Sequence, residues 1–291
     1  MALTEHNNIS IAQIVLYLPA LAVAIFLCVR HGFGRNAGWF FLIIFSIARI
    51  LGAALQLATI SDPRNESLYF GALTLQNIGL SPLILTQLAL INRALDSVDK
   101  ARNVIINPRI LRLVQLVVLV GLILGAVGGS NSGSDYADTG VYMVSDLTQA
   151  GVALTIVGFG LLVIATVVVG MHISAAEPGE KRVILAVALC LPFLLVRIIY
   201  SAESAFGNNP AFSQITGDVN ILLGTAVIEE IIIVFIDEAI GLTLNVRPKT
   251  GASAGYQSGI AGHLGGRFGR RDDGYEMRGL RHDRQSGSSG V

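Results

Sequence analysis

The stretch "LPFLLVRIIYSAES", residues 191–204, decides how the chain is read. Its apolar residues run without a polar face, as in a helix buried on all sides or immersed in lipid. Yet it carries Arg197, Tyr200 and Glu203 at three-residue spacing. A full charge at the centre of a membrane helix costs about 2.5–3.5 kcal/mol on insertion scales. The residues around it must therefore supply a partner.

The rest of the chain supports a lipid environment. Of 291 residues, 53% are hydrophobic and only 14% charged, with mean hydropathy +0.65. Soluble domains are nearer a quarter charged, so this chain cannot cover its surface with polar groups. Formal net charge is zero, which excludes a nucleic-acid partner driven by charge. The two cysteines, Cys28 and Cys190, lie in apolar runs and read as small core residues, not as a disulfide or zinc framework.

Seven runs reach the roughly 20 residues that a bilayer requires. They lie near 9–29, 38–59, 68–90, 111–129, 147–173, 183–204 and 219–244. The predicted fold is an all-α, polytopic seven-transmembrane-helix bundle over residues 1–245. The first run lacks a basic n-region and is longer than a signal h-region, so it reads as a retained helix. Residues 246–291, rich in Gly, Ser and Arg, cannot bury enough surface to offset their ordering entropy and read as a disordered tail.

Orientation follows from the loop cations. Arg30, Arg35, Arg93, Lys100, Arg102, Arg109, Arg112, Lys181 and Arg182 fall on one side; Arg64 falls alone on the other. That side is predicted to be cytosolic, with the N-terminus outside or lumenal and the tail cytosolic. The sequons at Asn8 and Asn65 fall on the outer side.

Small residues and prolines mark helix packing. Gly121, Gly125 and Gly129, and Gly151, Gly158, Gly160 and Gly170, are spaced for close helix approach. Pro19, Pro82 and Pro192 fall inside predicted helices and are expected to kink them.

The polar residues inside the predicted spans are the candidate site: Arg49, Gln76, Asn77, Arg197, Tyr200, Glu203, Glu229 and Glu230. At 1.5 Å per residue, Arg197 stands roughly 20 Å above the cytosolic start of its helix and Arg49 roughly 17 Å. Glu229 stands roughly 15 Å below the outer face in an oppositely directed helix. These levels predict one buried cluster, Arg49 and Arg197 against Glu229 and Glu230, with Tyr200 as a hydrogen-bonding bridge. Glu203, Asp218 and Asp237 fall near the interfaces, where carboxylates are wet. A cluster of this kind either locks helix register or handles a ligand, and both readings stay open here.

The run "RIIYSAESAFGNN", residues 197–209, resembles the sixth helix of the fungal RTA-like lipid-translocating exporters, which carries an Arg–Tyr–Arg–Glu pattern followed by Gly. Arg197, Tyr200, Glu203 and Gly207 match it, and Ser201 stands where the second Arg is expected. "FSIARILGAALQL" and the glycine-rich segment after the fourth run are more similar to related fungal integral membrane proteins grouped only as a domain of unknown function. The resemblance implies a translocator of lipids or small amphiphiles, or a resistance-type transporter, with membrane lipids as partners.

Other classes are weighed by what they need. A retinal protein needs a lysine in the membrane core, and Lys100, Lys181 and Lys249 are all outside it. A zinc hydrolase needs intramembrane histidines; only His172 falls near a helix, so no metal and no cofactor is expected. A seven-helix receptor or sensor fits the topology, although Arg93 alone stands in for a switch motif and no outer cysteine pair is present. A membrane terpene cyclase needs only acids in a cavity, which Glu203, Glu229, Glu230 and Asp237 are able to supply. Translocator and receptor lead over the enzyme.

Overall fold

The computed structural model describes residues 5–32, 38–62, 65–99, 108–139, 143–207, 212 and 219–245. Asp218 and the tail read as disordered lie outside them. The described residues are helical, with no strand among them. The helices are α1 (Glu5–His31), α2 (Gly38–Ala58), α3 (Glu66–Ile78), α4 (Leu80–Asp99), α5 (Pro108–Thr139), α6 (Asp146–Met171), α7 (Pro178–Phe206), α8 (Val219–Leu222) and α9 (Ile228–Thr243). A π turn, Leu223–Val227, joins α8 to α9 without a break in the helical path.

Among the described residues, six stretches are long and apolar enough to cross a membrane: Asn7–His31, Gly38–Ala58, Phe70–Val98, Arg109–Ser132, Asp146–Met171 and Gly179–Phe206. The path 219–243 is as long but carries Glu229, Glu230, Asp237 and Glu238, which sets it apart from the six.

Packing is a ring around one helix. The neighbours α1–α2–α3–α5–α6–α7–α9 close back onto α1, and α4 lies within, touching α2, α5, α6 and α7. The sequence of α4 accounts for its place. Leu83, Ile84, Leu88, Ile91, Ala94, Leu95 and Val98 cover its sides and are all buried. The ring helices instead turn large apolar side chains outward: Val29, Leu113, Ile164 and Leu185 are each more than half exposed. An apolar outer surface of this kind is what lipid, not water, solvates.

Helix ends follow local chemistry. Ser145 caps α6, its Oγ accepting from the Leu147 N–H at 3.3 Å. Pro178 opens α7 at the position where a missing N–H costs nothing. Pro82, expected from the sequence inside a helix, lies in the first turn of α4. Proline cannot donate to the carbonyl four residues back, here Ile78, and its ring crowds that carbonyl. The helix accordingly stops at Ile78 and restarts at Leu80, with Gly79 between them. The restarted helix runs to Asp99, well past residue 90, so Arg93 belongs to a buried helix and not to a loop. His31, too, ends a helix, stacked on Trp39 at 5.7 Å.

Glycine decides how closely α5 and α6 approach. A Cβ on Gly151 would stand 2.7 Å from the Gly121 carbonyl oxygen and 2.7 Å from the Gly125 amide nitrogen. Both are backbone atoms and cannot swing away. Gly151→Leu is therefore expected to cost about 1–3 kcal/mol through overpacking. Gly160→Leu, with nothing within 4 Å of its added Cβ, should leave stability unchanged. Thermal unfolding of the two variants in detergent checks the difference.

Candidate functional site

The buried charges are assembled by α2, α3, α7 and α9. Glu230 on α9 offers one carboxylate oxygen, Oε1, to two guanidiniums. Arg197 Nε on α7 donates to it at 2.8 Å, and Arg49 Nη2 on α2 donates to it as well. All three side chains are at most 1% exposed. Arg49 Nη1 also donates to the Gln76 side-chain oxygen at 2.8 Å and to the Gln76 carbonyl at 3.1 Å. That carbonyl lies in the last turn of α3, where free acceptors and the negative end of the helix dipole favour a cation. The guanidinium fits because Gly79 has no side chain: a Cβ there would stand 1.9 Å from Arg49 Nη2.

Each arginine also meets an aromatic face. Arg49 Cζ is 5.2 Å from the Phe45 ring centroid, and Arg197 Cζ is 5.5 Å from that of Tyr200. Tyr200 thus meets the cluster with its ring and is not the hydrogen-bonding bridge expected from sequence. Ser201 completes the coordination of Arg197, its Oγ accepting from Arg197 Nη1 at 2.6 Å.

The remaining candidates divide. Glu229 is buried, but it makes no ion pair among the described residues and its Oε2 has no partner. The expected four-charge cluster is therefore two arginines on Glu230 alone. Adjacent residues point about 100° apart around a helix, so Glu229 cannot share the site of Glu230. Glu203 is exposed and stands apart. Asn77 lies on α3, with its side chain outside the described residues.

Two further buried groups were not anticipated. Asp237, two helical turns beyond Glu230, is fully buried rather than wet. Gln87 Nε2 on α4 donates to its two oxygens at 3.0 and 2.8 Å, and the Cys190 thiol lies 3.9 Å away. The seven-residue step from Glu230 was the available signal, because it returns to the same helix face. Near the end of α9, Arg93 reaches Glu180 at 3.0 Å and the Asn245 carbonyl at 3.1 Å, and Arg30 reaches the Leu242 carbonyl at 2.9 Å. Cations thus cap the carbonyl end of α9.

Beside the charge cluster, a small cleft with a free volume of about 40 Å³ lies between α4, α5, α6 and α7. Its polar lining is Ser81, Thr148, Thr155, Ser201 and Ser204, and Gly121, Gly125 and Gly151 provide much of the rest. Among the described residues, no charged side chain lines it. Ser201 is common to the cleft and the arginine cluster.

The model of one family, described as Domain of unknown function (DUF7702), matches residues 3–247. The chain belongs to that family. Nothing among curated proteins or solved structures matches it. Taken with its six apolar spans, the chain is a multi-pass membrane protein.

The geometry separates the two adjacent glutamates. Glu230→Ala leaves two buried guanidiniums without their carboxylate and is expected to cost about 3–5 kcal/mol. Glu229→Ala removes no ion pair and should cost about 1 kcal/mol or less. Thermal unfolding of both variants in the same detergent provides the measurement.

Proposed function

We propose that this protein is a seven-span translocator of small amphiphiles, holding the polar end of its substrate in the cleft between α4, α5, α6 and α7. The observation that carries the reading is the cleft itself: a hydroxyl-lined space inside an apolar bundle, joined through Ser201 to a buried arginine cluster. Polar residues at membrane depth that are not spent on packing mark ligand pathways. A π turn immediately precedes Glu229 and Glu230, and π turns recur at functional sites.

The seventh span in this reading is the acidic path 219–243, whose four carboxylates are buried, with Glu230 and Asp237 held by partners from other helices. The loop cations favour an outer N-terminus and a cytosolic tail after residue 245, and Arg93 can be removed from that count without changing its direction. The cleft then lies in the outer half, because its α7 residues, Ser201, Ser204 and Ala205, belong to the outer end of that helix. The resemblance to RTA-like exporters points the same way.

A receptor or sensor is the second reading, favoured by the small volume of the cleft. The cyclase reading is less favoured, since the described lining of the cleft is hydroxyl and apolar.

Reconstitution into liposomes carrying a fluorescent short-chain amphiphile tests the proposal. A membrane-impermeant quencher should reach inner-leaflet probe in the presence of protein and not in its absence. Binding of the probe without movement would favour the receptor reading. Quenching no greater than in protein-free liposomes, with no binding, would overturn both.

A further inference from the structure

We infer that the cleft recognises the hydroxyl group of an uncharged amphiphilic alcohol. The inference rests on the reading that the cleft holds the polar end of a small amphiphile, and it names the chemistry of that end. It comes from counting protons on the lining hydroxyls.

Each serine or threonine hydroxyl has one proton to donate and lone pairs to accept. A guanidinium only donates. Ser201 Oγ is therefore the acceptor in its 2.6 Å contact with Arg197 Nη1, and its own proton is uncommitted. Thr155 Oγ1 donates to the Gly151 carbonyl at 2.8 Å, so its proton is spent. In the 3.3 Å contact between Ser81 and Thr155, Ser81 must then be the donor, which leaves only lone pairs on Ser81. Thr148 is 7% exposed, and its Oγ1 has no partner. A buried hydroxyl left in that state forfeits about 1–3 kcal/mol unless a ligand or water satisfies it.

The cleft thus presents a donor at Ser201, an acceptor at Ser81 and an unsatisfied hydroxyl at Thr148. An alcohol completes this set, accepting from Ser201 and donating to Ser81 or Thr148. A carboxylate only accepts, and it would face the lone pairs of Ser81 with no free cation, because Arg197 is already bound to Glu230. An ammonium would stand one hydroxyl away from the Arg197 guanidinium. The free volume of about 40 Å³ holds roughly three water-sized groups, enough for a hydroxyl and the carbon beside it. The remainder of the amphiphile would lie outside. Gly125 keeps that space open: an added Cβ there meets nothing within 4 Å.

The full chain in lipid nanodiscs is labelled with a diazirine-bearing primary alcohol of ten carbons, in competition with 1-decanol, decanoate or decylamine. Labelled peptides should come from α4–α7. 1-Decanol should compete at a concentration about tenfold below that of the charged analogues, the discrimination expected of one satisfied hydrogen-bonding set. Gly125→Leu should abolish the labelling, and Gly160→Leu, which does not line the cleft, should leave the order of competitors unchanged. If decanoate or decylamine competes as well as 1-decanol, the alcohol assignment is wrong while the amphiphile reading stands. Should none of the three compete, both fail. Unchanged labelling in a monodisperse Gly125→Leu protein would also overturn the assignment; if that variant does not fold, the competition series on the unaltered chain decides alone.

Discussion

One carboxylate oxygen, Glu230 Oε1, accepts hydrogen bonds from two arginines carried by helices far apart in sequence. In water such an arrangement is worth little. Inside the bundle each unpaired guanidinium would cost several kcal/mol, so α2, α7 and α9 are held at one level and one rotation. The rotation of α9 then carries Asp237 to the same interior face, where Gln87 and Cys190 meet it. Further along α9, Arg30 and Arg93 take the terminal carbonyls. The acidic helix that composition alone sets apart from a membrane span is thus accommodated by partners from α1, α2, α4 and α7.

The arginine cluster also explains the broken helix. Pro82 removes the hydrogen bond that would carry α3 into α4, which leaves carbonyls near Ile78 in need of donors. Arg49 donates to one backbone carbonyl in that turn, that of Gln76, and to the Gln76 side-chain oxygen, and Gly79 leaves room for the guanidinium. Proline, glycine and arginine act there as one unit. Small residues have a second effect between α5 and α6. Gly121 and Gly151 bring the two backbones into contact, while Gly125 faces open space and leaves the cleft unfilled.

Much of this arrangement was legible in the sequence, for reasons of depth. A helix climbs 1.5 Å per residue, so counting from the ends put Arg49, Arg197 and Glu230 within reach of one another. Depth carries no information on azimuth, however. It could not separate Glu229 from Glu230, which differ by one residue in height and about 100° in direction. Nor could it tell that Tyr200 would offer its ring and Ser201 its oxygen. Position along α9 alone places Asp237 near an interface; its burial comes from Gln87 on α4 and Cys190 on α7, which meet it across the bundle. The cleft has no signature in one helix, since its lining comes from five, Ile78 of α3 joining residues of α4, α5, α6 and α7.

Ser201 shows how one position divides architecture from recognition. A guanidinium here would put a third positive charge beside Glu230, and it would project toward the hydroxyl cleft. Two positive charges can share a single carboxylate oxygen because each keeps other partners: Gln76 for Arg49, and Ser201 for Arg197. A third would need an anion of its own, from the protein or from a ligand. Serine makes the opposite arrangement. It absorbs part of the Arg197 charge in a short hydrogen bond and turns a neutral hydroxyl toward the cleft. The polarity of the cleft in this chain is therefore set by the side chain that completes the coordination of Arg197.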